Sequence, residues 1–364
     1  MFNNIYSGKR VLVTGHTGFK GSWLSLWLKE LGAEVAGYSL GSVGNPSHFD
    51  LIGLQGQIRH FTGDIRDSAR LAGVFREFQP ELVFHMAAQA LVKKSYADPA
   101  STFEVNAMGM VNMMECLRNA PSVRAALMIT SDKAYRNDEW CWGYRECDPL
   151  AGHDPYSASK SCADLIAQSY WRSFFQSGPT RIAISRAGNV IGGGDWAEDR
   201  IVPDCMRALA RGETTVIRSP GATRPWQHVL EPLSGYLYLA AQLAEPENRL
   251  NGEAFNFGPD STVNHTVGEL LAAMSRRWPD LRWETPEGTG KQDHEARLLK
   301  LNCDKALIYL QWKPTLGFFQ TVELTVDWYR EWSRNIISDP SFSLGQIRQY
   351  CELAKEQDAV WTKS

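Results

Sequence analysis

The chain has 364 residues, a length that fits two domains or one large elaborated one. Its 38 basic residues nearly balance 41 acidic ones, so charge supplies no case for a nucleic-acid or anionic-membrane surface, and neither partner is expected. Hydrophobic residues at 43% with 22% charged exclude a disordered or fibrous chain.

No apolar run approaches the ~20 residues that span a bilayer, and MFNNIYSGKR at the start lacks a signal-peptide apolar core. The expectation is a soluble cytoplasmic protein. Seven cysteines are scattered and never spaced Cys-x-x-Cys, which reads as reduced thiols. No Cys/His cluster has ligand spacing, so no metal is expected.

Short apolar runs at 10–14, 34–38, 58–62, 81–85, 124–130 and 180–186 predict strands. Between them, stretches such as 19–31 and 71–78 repeat apolar residues at helical spacing. That alternation predicts an α/β fold, a Rossmann-type doubly wound parallel sheet covered on both faces. Residues 101–118 are apolar around nearly their whole circumference and predict one helix buried on two sides. A second, 157–175, has one face for the sheet and another for a second subunit. Together they predict a homodimer closed by a four-helix bundle, with a tetramer as an extension; a crowded monomer core is the alternative reading.

After 186 the texture turns to Gly/Pro-rich loops at 188–196 and 218–226, a strand at 253–258, and helices around 229–244, 266–278 and 321–336. The expected division is a dinucleotide-binding domain of 1–188 with returns near 226–258. A smaller, interlaced substrate domain takes 189–225 and 259–338, and 339–364 is a helical tail.

The first strand runs into Gly15-His16-Thr17-Gly18-Phe19-Lys20-Gly21. Glycines here let a turn and helix N-terminus come within contact distance of a pyrophosphate, where a Cβ would intrude. The spacing is G-x-x-G-x-x-G rather than the commoner G-x-G-x-x-G. At the end of the second strand Tyr38-Ser39-Leu40 stands where a ribose-binding carboxylate is usual. No arginine for a 2′-phosphate is present either, which favours NAD over NADP. Asp64-Ile65 follows the third strand, where the acid could meet an adenine amino group or serve as a turn residue. Ala87-Ala88 after the fourth strand permits close approach of a cofactor or of a helix.

Tyr156 and Lys160 share a helix face at a spacing of four. An ammonium beside a phenol lowers its pKa and lets it take a proton from a sugar hydroxyl.

GHTGFKG, HMAAQ, TSDKAY, YSASK, GNVIGGGDW, RPWQHVLEP and FNFGP occur in the order seen in extended short-chain dehydrogenases/reductases of the sugar-nucleotide branch. The chain resembles that superfamily over roughly 8–335, and within it the CDP-glucose 4,6-dehydratases. The resemblance implies bound NAD and a cycle in which carbon 4 is oxidised, water is eliminated across carbons 5 and 6, and carbon 6 is reduced. The product would be CDP-4-keto-6-deoxy-D-glucose, for deoxysugar and surface-polysaccharide synthesis.

It also implies roles. Tyr156 is the base for the 4-hydroxyl, Lys160 assists it and bonds the nicotinamide ribose, and Ser131 bonds the developing ketone. Asp132 protonates the departing 6-hydroxyl, and Lys133 stands where relatives on dTDP sugars carry the glutamate base. Lys133 as base and Lys133 as a neutralising partner of Asp132 both remain open. Gly15, Thr17, Gly18, Phe19, Lys20, Gly21, Asp64, Ile65, Ala87 and Ala88 line NAD. Asn189, Arg200, Arg224, His228, Lys291 and Arg297 meet the nucleotide sugar. A 4-epimerase and a non-catalytic dinucleotide-binding protein are the rival readings; Asp132 argues against the first and the intact acid–base set against the second.

Overall fold

A computed structural model describes residues 1–42, 44, 46–217, 219–245, 249–260, 263–285 and 299–363. Lys291 and Arg297 lie outside them. The first six strands are β1 (Arg10–Thr14), β2 (Glu34–Ser39), β3 (Arg59–Thr62), β4 (Leu82–His85), β5 (Ala125–Ile129) and β6 (Arg181–Ala187). With β11 (Ala254–Phe257) they form one sheet in the order β11-β6-β5-β4-β1-β2-β3. Every pairing is parallel, as in Leu12↔Ala36 and Leu127↔Ala183. The order reverses between β1 and β4, which opens a crevice at the carboxyl ends of the central strands.

The sheet is buried on both sides. Val11 and Val13 of β1 join one apolar cluster, while Leu12 between them joins the other. On the Val11 side lie α1 (Phe19–Glu30), α9 (Leu230–Ala244) and α13 (Ser341–Glu356). On the Leu12 side lie α3 (Ser68–Phe78), α6 (Gly109–Arg118) and α7 (Pro155–Tyr170). Short helices α2 (His48–Leu51), α4 (Val92–Ala97) and α5 (Pro99–Phe103) fill the connections.

The predicted single helix at 101–118 is interrupted: α5 passes through a π turn at Glu104–Met108 into α6. Asn106 explains the bulge, because its buried amide bonds Gln89 and Ser159 instead of pointing to solvent. The second long helix ends likewise in a π turn, Trp171–Phe175.

Three two-residue ladders build the smaller lobe: β7 (Val190–Ile191) with β10 (Gln227–His228), β8 (Thr215–Val216) with β13 (Trp283–Glu284), and β9 (Thr223–Arg224) with β12 (His265–Thr266). Helices α8 (Ile201–Ala210), α10 (Val267–Arg277), α11 (Asp304–Leu310) and α12 (Phe318–Ser333) complete it. Its core is continuous with that of the sheet, since Met206 and Leu270 share a cluster with Val11 and Trp27. The tail folds back: α13 packs on α1, and Tyr350 stacks on Trp361 with ring centroids 5.7 Å apart.

Candidate active site

The β1–α1 turn shows why glycine stands at its positions. Gly15 has φ +74°, and a Cβ there would fall 2.9 Å from the Ala87 amide nitrogen. A Cβ on Gly21 would sit 2.1 Å from the Gly15 carbonyl oxygen, so this glycine lets α1 start against the turn. Helix α1 has no side-chain N-cap and no acid in its first turn. Its leading amides therefore face the crevice without an internal anion, the arrangement a pyrophosphate needs. Thr17 donates to the Gly41 carbonyl at 2.5 Å and lies 2.9 Å from Ser39 Oγ, tying the turn to the end of β2.

Two residues of this cofactor side have charged neighbours of their own. The Asp64 carboxylate is gripped by its neighbour: Arg66 donates Nη2 at 2.7 Å and Nε at 3.0 Å to Oδ2. That ion pair holds its pKa low. Asp64 thus serves its own turn, while Ile65 is buried against Gly109. Lys20, predicted to line NAD, feels the charges of Asp132, Arg200, Lys160 and Asp195, and desolvation pushes its pKa down to about 8.

After β5, Ser131 caps a single helical turn, Asp132–Ala134. Ser131 Oγ donates to Asp132 Oδ1 at 3.0 Å and accepts from the Lys133 amide at 3.2 Å. Asp132 is 4% exposed, and burial raises its pKa against the opposing effects of Lys133, Ser131 and Lys20. A Cβ on Gly188 would approach Asp132 Oδ2 to 3.0 Å and the Pro225 ring to 4.0 Å. Gly188 therefore lets the carboxyl fit beneath the loop that carries Asn189, and brings the loop of Arg224 close by.

Helix α7 presents Tyr156 and Lys160. Its start is fixed by an Asp154 cap on Ser157 and by Ser95, whose Oγ accepts from the Tyr156 amide at 3.1 Å. The expected coupling of phenol and ammonium takes another form. Lys160 Nζ reaches past Tyr156 to donate to the Ile129 carbonyl at 3.2 Å, and burial drives its pKa down to about 8. The Tyr156 phenol is pushed up by burial, with Ser131 and Arg200 drawing it back. One helix face does not suffice for contact, because the lysine stem extends toward the end of β5.

Arg200 is held at the crevice by Asp195 Oδ2 at 2.8 Å, and its charge reaches Tyr156. Arg224 lies on β9 and donates to the Thr223 carbonyl at 2.8 Å. His228, predicted to meet substrate, is instead a core residue: it is fully buried, its ring lies edge-on to Trp23 with centroids 6.2 Å apart, and its pKa falls to about 3. Sequence reading missed Asn106 and Ser95, which position the loop at Gln89 and the start of α7. Both are polar residues at buried helix positions, a signal visible only once burial is known.

Four cations (Lys20, Lys133, Lys160, Arg200) thus surround two carboxylates (Asp132, Asp195). The balance suits an anionic ligand, and the Ser–Asp–Tyr set suits proton transfer within it. Among the described residues no helix is long and apolar enough to cross a membrane, and no group of three His, Cys, Asp or Glu is placed to hold a metal ion.

Comparison with known proteins places this geometry. The sequence model described as GDP-mannose 4,6 dehydratase matches residues 12–325. A CDP-glucose 4,6-dehydratase of Salmonella typhimurium is 46% identical over 91% of this chain and 93% of its own. The dTDP-glucose 4,6-dehydratase of Streptomyces venezuelae, solved with NAD bound, superposes with a TM-score of 0.74 at 26% identity, covering 88% of this chain and 97% of that one. A Thermus thermophilus UDP-glucose 4-epimerase solved with NAD gives 0.73 at 26% identity, over 88% and 99%.

Proposed function

Because the chain belongs to the GDP-mannose 4,6-dehydratase family, we propose that it is an NAD-dependent nucleotide-sugar dehydratase converting CDP-D-glucose to CDP-4-keto-6-deoxy-D-glucose and water, for deoxysugar synthesis. The observation that carries this reading is Asp132, a buried carboxyl whose pKa is raised by burial and which accepts a hydrogen bond from Ser131 beside Tyr156. A 4-epimerase has no use for an acid there; an elimination does.

The residues present fit NAD: an uncapped helix N-terminus follows a glycine turn that a Cβ would obstruct. Gly15, Thr17, Gly18 and Gly21 would hold it, with Ala87 and Ala88 beside them. When bound, NAD supplies reversible two-electron oxidation at carbon 4 and the matching reduction at carbon 6. The chain's own residues do the rest. Tyr156 is the base for the 4-hydroxyl proton, and Ser131 and Arg200 draw its pKa back against the burial that raises it. Ser131 bonds the new carbonyl oxygen. The ketone acidifies the carbon-5 hydrogen; Lys133 is its base in this reading, and a neutralising partner of Asp132 in the alternative. Asp132 gives its proton to the 6-oxygen as the carbon–oxygen bond breaks, and water leaves.

Asn189, Arg200 and Arg224 would meet the diphosphate, guanidinium being suited to paired oxygens. Residues 1–188 with the return at 226–258 would carry NAD, and 189–225 with 259–338 the nucleotide sugar. We place the enzyme in the cytoplasm as a homodimer in which α6 and α7 pair with their symmetry mates. Met108, Leu165 and Phe174, each at least 50% exposed, support that assembly. A monomeric mass by light scattering at micromolar concentration would refute it.

Mass spectrometry after parallel incubation with CDP-, UDP- and dTDP-glucose tests the function. Loss of one water from the CDP sugar alone is expected. An isobaric product would replace dehydration by epimerisation.

A further inference from the structure

The face of α7 that presents Tyr156 does not end at Lys160. Asp164 continues the spacing of four, so Tyr156, Lys160 and Asp164 form one row along the helix. Below Tyr156 the helix grips the chain on both sides of the Asp132–Ala134 turn. Lys160 Nζ donates to the Ile129 carbonyl at 3.2 Å, and Ser161 Oγ donates to the Ala134 carbonyl at 2.7 Å. Asp164 Oδ2 accepts from Thr130 Oγ1 at 2.9 Å. Arg186 of β6 completes the brace. Its Nε and Nη2 fork onto Asp164, both at 2.8 Å, and its Nη1 donates to the Tyr135 hydroxyl, also at 2.8 Å. That hydroxyl in turn donates to Asn256 Oδ1 on β11 at 2.8 Å. Thr130, Tyr135, Asp164, Arg186 and Asn256 are all buried. One ion pair thus holds Thr130, just before Ser131 and the turn, and Tyr135, just after it.

A turn of this kind needs bracing. The bonds that close it run from the Lys133 amide to Ser131 Oγ, from the Ala134 amide to the Ser131 carbonyl and from the Tyr135 amide to the Asp132 carbonyl. Each is 3.2 Å long. A single 3₁₀ turn has poor hydrogen-bond geometry and no further turns to stiffen it. A buried ion pair, for its part, is a weak source of stability, since apolar residues of similar volume often serve as well. What the guanidinium fork supplies is a fixed direction for each of its bonds.

We propose that the Asp164–Arg186 pair positions the acid turn against the helix that carries the base, through Thr130 ahead of the turn and Tyr135 behind it. All four are positioning residues, acting through the backbone of 131–134. The inference rests on the dehydratase reading above, in which Tyr156 acts at carbon 4 and Asp132 at the oxygen on carbon 6 of one sugar. Two groups borne on different elements must then be held in register, and a misplacement of about 1 Å can cost about a hundredfold in rate.

The test is Tyr135→Phe, which keeps the ring and removes the rear bond. Ser131 stays anchored through Thr130, so carbon-4 oxidation, read as reduced-nicotinamide absorbance in a single turnover, should keep its wild-type rate, and KM for CDP-glucose should not move. Water loss should slow about tenfold, and reduced nicotinamide should accumulate beyond its wild-type level. Thr130→Val releases the front of the turn, next to Ser131, and should slow both steps. Arg186→Met/Asp164→Leu removes both braces and should slow water loss even where its unfolding midpoint matches wild type. Equal slowing of both steps in Tyr135→Phe, in proportion to folded protein lost, would make the pair a structural element only and overturn the proposal. A well-folded double variant that dehydrates at the wild-type rate would overturn it too. If Tyr135→Phe does not fold, Thr130→Val and the double variant decide. Wild-type protein that fails to dehydrate CDP-glucose would instead overturn the reading beneath. Amide hydrogen exchange of 131–135, expected to be faster in Tyr135→Phe than in wild type, would still test the brace, and unchanged exchange would sink it.

Discussion

Two clusters of buried charge lie a few residues apart at the ends of β5 and β6, and they are built oppositely. In the first, the Arg186 guanidinium forks onto Asp164 with Nε and Nη2 both at 2.8 Å. Thr130 at 2.9 Å and Gln168 at 2.8 Å complete the carboxylate, while Arg186 Nη1 donates to the Tyr135 hydroxyl at 2.8 Å. Both partners are 1% exposed or less. In the second, Asp132, Lys160 and Tyr156 are 4%, 6% and 9% exposed and Lys20 is half-buried; the set leaves hydrogen-bonding capacity unspent, and its pKa values move away from the ordinary. Burial alone does not mark a catalytic site. What separates the second cluster is a set of ionisable groups with capacity left for a ligand.

The largest effect expected within this contrast is on the open cluster. Tyr156→Phe should lose carbon-4 oxidation itself, ~10²–10⁴-fold, with no reduced nicotinamide and no ketone, while unfolding stays near wild type. Asp132→Asn should reduce dehydration over the same ~10²–10⁴ range yet still oxidise carbon 4, stalling as a 4-keto sugar. It should also erase a pH limb. Asp132 acts as an acid, and its raised pKa keeps it protonated above the ordinary carboxylate range. Water loss in the native enzyme therefore falls as pH climbs through that value, and the asparagine variant should lack this fall.

The closed cluster should respond in stability. Arg186→Met strands Asp164 and should cost about 3–5 kcal/mol in urea unfolding, with much of that recovered in Arg186→Met/Asp164→Leu. If the double variant folds no better than the single one, the pair does more than satisfy itself. Lys133→Met sharpens the other side: exchange of the carbon-5 hydrogen with solvent deuterium should stop, and exchange at the wild-type rate would leave Lys133 as an electrostatic partner of Asp132. The smallest effect concerns cofactor retention. Tyr38-Ser39-Leu40 offers no carboxylate to the ribose, a loss of ~1.5–3 kcal/mol or about tenfold to a hundredfold in affinity. Purified protein should need added NAD for full activity; stoichiometric, undialysable NAD would count against this.

Much of the architecture is legible in the chain. Strands predicted at 10–14 and 34–38 occur as Arg10–Thr14 and Glu34–Ser39. A strand buried on both faces writes its burial as an apolar run, and that pattern is local. Glycine spacing was legible for the same reason, since the demand for a bare backbone falls on the residue itself. Helix interruption at Glu104–Met108 was not: a single asparagine reaching Gln89 and Ser159 leaves no periodic trace.

What the sequence by itself determined is the sheet and the glycine turn, because each depends on residue type at short separations. Only the tertiary structure decided which way the long side chains face. Asp64 is paired with Arg66, and His228 is buried against Trp23. Such placements follow from packing between elements far apart in the chain, where a side chain's direction is set by the space its neighbours leave and not by the residues beside it.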